Sequence, residues 1–240
     1  MRPITVFCLP FAGGNKYSYR DYEAHCPPHL RLVPIEYPGR GARMREPLLH
    51  SMDAIVGDLY AQVKKSVDNE PYILYGHSMG GLAVCLLAQK LVQYRHRAPL
   101  QLFITGTMGP SAWSRTDKAR HLMGKKEFIQ EIIDLDGMPG EILRNAEMMD
   151  YFEPILRADF TATDTYVYKP EPPLRIPMTV ITGDEEDMTD EDIGLWQQET
   201  VQPVDFRKLP GKHFFIFRFP GEVMNVLATQ SLNHIKIYQS

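Results

Sequence analysis

The pentapeptide Gly76-His77-Ser78-Met79-Gly80 places a serine between two glycines where the apolar run YILYG gives way to the helix-like stretch LAVCLLAQKLV. A strand that bends sharply into a helix crowds its own apex. Glycines at 76 and 80 relieve that crowding, so the Ser78 hydroxyl is expected to stand exposed on a strained turn. The first amides and the positive dipole end of the following helix would face the same point. The chemistry this permits is nucleophilic attack on a carbonyl, which a serine performs only when a base takes its proton. The competing reading, a glycine-rich turn with a bystander serine, lacks the strand before and the helix after that frame Ser78.

Eight histidines are available as the base. His77 adjoins Ser78 but should point away on such a turn. His25 and His29 flank Cys26 in AHCPPHL, where two prolines forbid the helix that a metal-binding pair at that spacing would need. His50, His96, His121 and His234 have no supporting context. His213, in LPGKHFFIF, follows the last strand-like run and a glycine turn, where a base would be delivered to the strand ends. An acid must then hold the imidazole's tautomer, in the chain order serine, acid, histidine. The segment VITGDEEDM offers Asp184, Glu185, Glu186 and Asp187, and spacing alone does not choose among them. Most must be solvated, because like charges are not buried together. The tetrahedral intermediate needs two backbone N–H donors: Met79, after the nucleophile, and Phe11 or Ala12 in LPFAGGN, where Gly13 and Gly14 let the backbone approach. A phosphate-cradling role for these glycines lacks both the Gly-Lys-Ser/Thr and the full G-x-G-x-x-G patterns.

Six short apolar runs must position these groups: residues 4–10, 31–38, 72–76, 100–107, 178–184 and 204–211. Their hydrophobicity is continuous rather than alternating, as in parallel strands buried on both faces. Helix-like segments at 51–66, 79–96, 189–200 and 219–236 alternate with them. The pattern predicts a single α/β domain over 1–240, a mostly parallel twisted sheet with helices on both faces. About seventy residues pass between LFITGT and MTVITG without a strand. Phe128, Ile129, Ile132 and Ile133, then Ile142, Leu143, Met148, Met149, Phe152 and Leu156, recur there at helical spacing. A structureless loop of that length is unusual, so a helical lid is expected over about 114–170. Its Met138, Met148, Met149, Tyr151, Phe152 and Phe160 either line an adaptable acyl chamber or pack the lid on the core.

Composition bounds the function. The 240 residues are 44% hydrophobic and 23% charged, with a net charge of −4, as in an ordinary soluble domain and not a nucleic-acid binder. No apolar stretch reaches the roughly 18–20 residues that span a bilayer. The segment MRPITVFCLPFAGG reads as a first strand rather than a signal peptide. Cys8, Cys26 and Cys85, an odd number without C-x-x-C spacing, predict free thiols and a cytoplasmic setting.

Taken together, FCLPFAGG, IEYPGRGARMREP (35–47), YGHSMGG, LFITGT, LRADF (156–160), TGDEED, GLW and GKHFF stand in the order seen in type II thioesterases, the stand-alone editing enzymes of nonribosomal peptide and polyketide assembly lines. The chain resembles that family over nearly its whole length. The resemblance implies an α/β-hydrolase fold with an inserted lid. It also implies hydrolysis of acyl groups from the phosphopantetheine arm of carrier proteins. That chemistry needs no metal or redox cofactor, and one lid with one active site predicts a monomer. It assigns Ser78 as nucleophile and His213 as base. The relatives' Gly-x-x-Asp-like turn before a tryptophan-bearing helix, aligned on EDM and Trp196, implies Asp187 as the acid, with Asp184 second. Arg40, Arg43 and Arg45 would be available to attract an acidic carrier helix or the phosphate of its arm, or are structural or solvated, as surface arginine clusters more often are. A general carboxylesterase, an acyl-CoA hydrolase or a fold that has lost its chemistry would share much of this pattern.

Overall fold

The structure, a computed structural model, describes residues 2–116, 118–135 and 145–239. All six apolar runs form strands: β1 (Ile4–Leu9), β2 (Leu30–Pro34), β3 (Tyr72–His77), β4 (Leu102–Thr105), β5 (Met178–Gly183) and β6 (Asp205–Leu209). They make one sheet in the order β2-β1-β3-β4-β5-β6, with every pair parallel. Side chains alternate between two apolar cores, because successive residues of a strand face opposite sides. Phe7, Leu9, Tyr72, Leu74, Leu102, Ile104, Met178 and Val180 enter one core. Val6, Cys8, Ile73, Tyr75, Phe103 and Ile181 enter the other. Burial on both faces explains why these runs show no polar alternation. The exceptions are the edge strands: β2 exposes Arg31, and the DFRKL sequence of β6 leaves Phe206, Arg207 and Lys208 exposed, an edge protected by charge.

Helices α1 (Met52–Val63) and α2 (Met79–Gln93) cover the first core, and α1 starts where the Ser51 Oγ accepts the Ala54 amide at 3.2 Å. Helix α6 (Pro220–Gln239) contributes Val223, Met224 and Leu227 to the second core. The expected helix at 189–200 is α5 (Asp190–Gly194) running into a 3-10 turn at Leu195–Glu199.

Between β4 and β5 lie 3-10 turns at Trp113–Thr116 and Arg120–Leu122, then α3 (Lys125–Asp134) and α4 (Ala146–Asp164). Phe128 and Ile132 of α3 and Leu156 of α4 form a separate small core, against which Phe152 and Phe160 pack. Those two aromatics therefore join the inserted helices to each other. Ile133, Met148 and Tyr151 are exposed, and Met149 is buried. Met138, Ile142 and Leu143 lie outside the described residues.

The chain runs from β1 to β2 on one side and then crosses to β3 on the other. The crevice at the carboxyl ends of β1 and β3 is thus the switch point where open α/β sheets place their ligands. The Ser78 turn follows β3 there, facing the loop that follows β1.

Candidate active site

Ser78 has φ 56° and ψ −119°, a left-handed conformation that a non-glycine residue adopts only under constraint. The constraint is visible in its neighbours. The Ser78 amide donates to Thr105 O at 2.8 Å, and its carbonyl accepts from Gly81 and Leu82 in the first turn of α2. A Cβ on Gly76 would sit 2.2 Å from Gly80 O, so the two flanking glycines are what let the bend close. The first amides of α2, and their share of the helix dipole, lie beside the hydroxyl.

Gly80 has a second role. A Cβ there would meet Leu9 O at 2.2 Å and Pro10 O at 2.7 Å, so α2 begins in direct contact with the end of β1. That contact brings the Met79 amide beside the 11–14 loop. The Tyr19 hydroxyl donates to Leu9 O at 2.7 Å and accepts from the His77 amide at 3.1 Å, and Tyr37 Oη donates to Pro10 O at 3.0 Å. Within the loop, Gly14 N–H bonds Phe11 O and Gly13 N–H bonds Asp159 Oδ2, which commits both amides. The sequence-predicted donors of this loop are its other two amides, those of Phe11 and Ala12.

His213 follows β6 and the Gly211 turn, where φ is +116°. Its Nε2 lies 3.0 Å from Ser78 Oγ, across 135 positions of sequence. Its Nδ1 lies 2.6 Å from Glu186 Oε1. The Glu186 side chain is 3% exposed, and its Oε2 accepts the Gly183 amide at 2.8 Å. The sequence-predicted acid, Asp187, is exposed to solvent, and Asp184 accepts the Gly211 amide at 2.8 Å. Glu186, rather than Asp187 or Asp184, is therefore the carboxylate at hydrogen-bond distance from His213.

The reason is the turn after β5. Gly183 would bring a Cβ to 2.2 Å from Gly211 O, so the two loops touch through their backbones. Asp184 N bonds Leu209 O at 2.9 Å and Glu185 N bonds Gly211 O at 3.0 Å. With residues 184 and 185 held against the base loop, the next side chain is the one that reaches Nδ1. Counting Gly-x-x-acid from Gly183 lands on Glu186, a signal in the sequence that alignment on EDM displaced by one residue. The longer arm of glutamate suits the same count.

His77 turns into the sheet as expected. Its Nδ1 is 3.0 Å from Thr105 Oγ1, and its ring centroid is 4.8 Å from that of His213. Burial, and then the neighbouring His213, push the His77 pKa well below the ordinary histidine value, so it stays neutral beneath the base. Three of the other histidines have partners elsewhere: His29 meets Ser231, His96 lies between Tyr60 and Asp68, and His121 meets Asp164.

The three arginines of PGRGARMR differ in their surroundings. Arg40 is 4% exposed and forms a two-pronged ion pair with Asp159, and Arg43 is engaged by Asp58 and Glu46. Arg45 alone of the three is exposed. Next to the base, a groove of about 260 Å³ is lined by Ile133, Glu185, Lys212, Phe214, Phe215 and Arg218.

A serine, a histidine and a carboxylate joined in that order by hydrogen-bond contacts are the parts of a covalent acyl-transfer site. Among known proteins, the gramicidin S biosynthesis protein GrsT of Aneurinibacillus migulanus is 31% identical over 95% of this chain and 88% of its own length. The thioesterase PikA5 of Streptomyces venezuelae is 26% identical over 95% of this chain and 81% of its own. The crystal structure of ClbQ from the colibactin NRPS/PKS pathway superposes with a TM-score of 0.92 at 28% identity, covering 98% of this chain and 99% of that one. YbtT, a type II thioesterase from the yersiniabactin pathway, superposes at 0.86 with 26% identity over 97% and 94%. The fold is that of the α/β-hydrolases. Residues 4–230 match the thioesterase domain family, and the chain belongs to it.

Proposed function

We propose that this thioesterase releases stalled or unwanted acyl groups from the phosphopantetheine arm of carrier proteins in nonribosomal peptide or polyketide synthesis, with Ser78, His213 and Glu186 as its triad. The observation that carries the reading is the continuous relay from Ser78 Oγ to His213 Nε2 at 3.0 Å and from His213 Nδ1 to Glu186 at 2.6 Å. Sulfur donates weakly into a carbonyl, so a thioester is electrophilic and its thiolate leaves readily. Ser78 Oγ attacks the thioester carbon while His213 Nε2 takes its proton, and the oxyanion receives the Met79 amide and that of Phe11 or Ala12. Collapse breaks the C–S bond, and the imidazolium gives its proton to the departing sulfur. Water then attacks the Ser78 ester, with His213 taking a water proton and returning it to Ser78 Oγ. The acid product and the free enzyme remain. Glu186 holds Nδ1–H throughout and stabilises each imidazolium.

The helices inserted between β4 and β5 act as the lid in this reading, and the Lys212–Arg218 groove beside the base offers positive charge to the phosphate of the arm. The protein works as a monomer in the cytoplasm. Among the described residues no helix is long and apolar enough to cross a membrane. The test compares turnover of one acyl group on a carrier domain, on coenzyme A and on p-nitrophenol, with Ser78→Ala as the blank. Carrier-bound acyl groups should be hydrolysed with the highest kcat/KM, and Ser78→Ala should abolish both turnover and fluorophosphonate labelling. A simple ester hydrolysed as well as the carrier thioester would defeat the editing role.

A further inference from the structure

The oxyanion loop is held from an unexpected direction. Asp159, on the inserted helix α4, accepts the Gly13 amide at 2.7 Å through Oδ2. Arg40 donates Nη1 to the same oxygen at 2.6 Å and Nη2 to Oδ1 at 2.7 Å, and Nη1 also reaches Gly14 O at 3.2 Å. Both side chains are buried, Asp159 at 1% and Arg40 at 4% exposure. Burial opposes the Arg40 charge, but the hydrogen bonds and attraction of Asp159 outweigh it and hold its pKa above the ordinary value. One turn earlier on α4, Leu156 lies so close to Gly13 that a Cβ there would meet its Cδ2 at 2.5 Å, and Gly13 itself has φ +77°.

These contacts govern the loop's amides through peptide geometry. In a trans peptide the N–H and C=O point in opposite directions. The Phe11 carbonyl is turned toward the Gly14 amide at 2.9 Å, so the Ala12 N–H of the same peptide points out of the turn. That turn persists only while residues 13 and 14 stay in place, and their bonds outside it run to Asp159 and Arg40. We propose that Asp159 is a positioning residue for the oxyanion amides, coupling the inserted helix to the loop after β1 through Gly13 and Arg40 so that the two move as one unit. A displacement of α4 that carried Asp159 away would release the turn and leave Arg40 buried without its partner. The inserted helices thereby gate transition-state stabilisation as well as access. A buried ion pair gives little stability over an apolar pair of similar volume, whereas it fixes geometry by direction. A role in geometry is therefore separable from one in folding.

The inference rests on the Ser78 reading above, but its test does not need the carrier protein. Asp159→Asn and the apolar double variant Arg40→Met/Asp159→Leu are compared with the parent on a p-nitrophenyl ester and on a trifluoromethyl ketone that Ser78 can add to. An unreactive thioether analogue of the substrate reports ground-state binding. Expected is a fall in kcat of about 10²-fold, the effect of misplacing one oxyanion donor, with KM and thioether affinity within about 3-fold. Affinity for the ketone should fall by the same factor as kcat/KM. The double variant should melt near the parent temperature yet remain slow. A double variant that recovers both stability and rate would show that the pair only supports folding, and a loss confined to KM would likewise overturn the proposal. Should the double variant not fold, Asp159→Asn decides alone, by whether ketone affinity tracks rate. A carrier assay that fails while these ratios hold defeats the editing role and leaves this inference standing.

Discussion

Replacing Glu186 by glutamine is the most informative single change, because the side chain keeps its shape and loses only its charge and half its accepting capacity. One carboxylate oxygen faces His213 Nδ1 at 2.6 Å and the other accepts the Gly183 amide at 2.8 Å. Both neighbours are donors when His213 acts as base, and a glutamine has only one acceptor to share between them. If its oxygen serves Gly183, its NH2 faces Nδ1 and drives the imidazole proton to Nε2. That is the tautomer unable to accept from Ser78. The equivalent wrong-tautomer change in a serine protease lowers kcat by about 10⁴-fold, which is about 5.5 kcal/mol of barrier. Glu186→Gln should therefore lose about 10³- to 10⁴-fold in kcat with little change in KM. Glu186→Asp withdraws the carboxylate by one methylene, a displacement of about 1 Å, and should lose about 10²-fold. Asp187→Asn alters a solvated group and should stay within about 2-fold. Asp184→Asn keeps an oxygen for the Gly211 amide and should lose no more than about 5-fold. The assay is release of free thiol from a short acyl thioester under single-turnover conditions, with each variant's melting temperature recorded. If Asp187→Asn lost 10²-fold or more while Glu186→Gln stayed within about 10-fold, the assignment of the acid, and the account of the turn behind it, would be refuted.

Three further outcomes follow from the same structure. Gly80→Ala puts a methyl 2.2 Å from the rigid Leu9 carbonyl; overpacking of about 1–3 kcal/mol should lower Tm by roughly 2–12 °C, and kcat should fall as α2 is pushed from the oxyanion loop. His77 has its pKa depressed by burial, so its stabilising contribution is complete above the unfolded value of about 6.5 and is lost as pH falls below it. A Tm-versus-pH series should accordingly be flatter on the acid side in His77→Asn, and parallel curves would contradict the assignment. Glu199 is raised instead, by burial beneath α2 despite bonds from Tyr168, Cys85 and Gln89; a raised carboxyl favours the fold at low pH and costs stability as pH climbs through its folded value. Scanning calorimetry should find Glu199→Gln more stable than the parent by a few degrees at pH 8 and equal to it below about pH 4.

Sequence and structure agree wherever one strand–helix unit determines the answer. The four inner strands were legible because burial on both faces removes polar residues from them, and Ser78 because the bend demands glycine at both flanks. His213 could be read from its place after the last strand. The acid could not, because it depends on how two loops meet. Gly183 and Gly211 touch through backbone atoms, and that contact sets which of four consecutive carboxylates faces inward. The partner of Arg40 was hidden for a related reason. A cationic run reads as a solvated surface, yet Arg40 is drawn inside by a carboxylate 119 positions away, and nothing local to residue 40 marks that partner.

The distribution of these long-range contacts bears on how the protein divides its work. The nucleophile turn, the oxyanion loop and the base and acid loops are locked at three seams where glycine lets backbone meet backbone: Gly76 on Gly80, Gly80 on Leu9 and Pro10, and Gly183 on Gly211. Main-chain contacts of this kind have no rotamers to relax into, so the reacting geometry is insulated from side-chain change elsewhere. The inserted helices meet that frame differently, through the side chains Asp159 and Leu156 on Gly13. Side-chain contacts of that sort can break and reform as a helix moves. Substitutions across α3 and α4 should then alter which acyl groups are accepted while leaving Ser78 and His213 in register, provided Asp159 keeps its hold on the loop. If thioesterases of this family differ in the acyl groups they accept while sharing one chemistry, their variability should lie there, on the inserted helices, and their glycines at the seams.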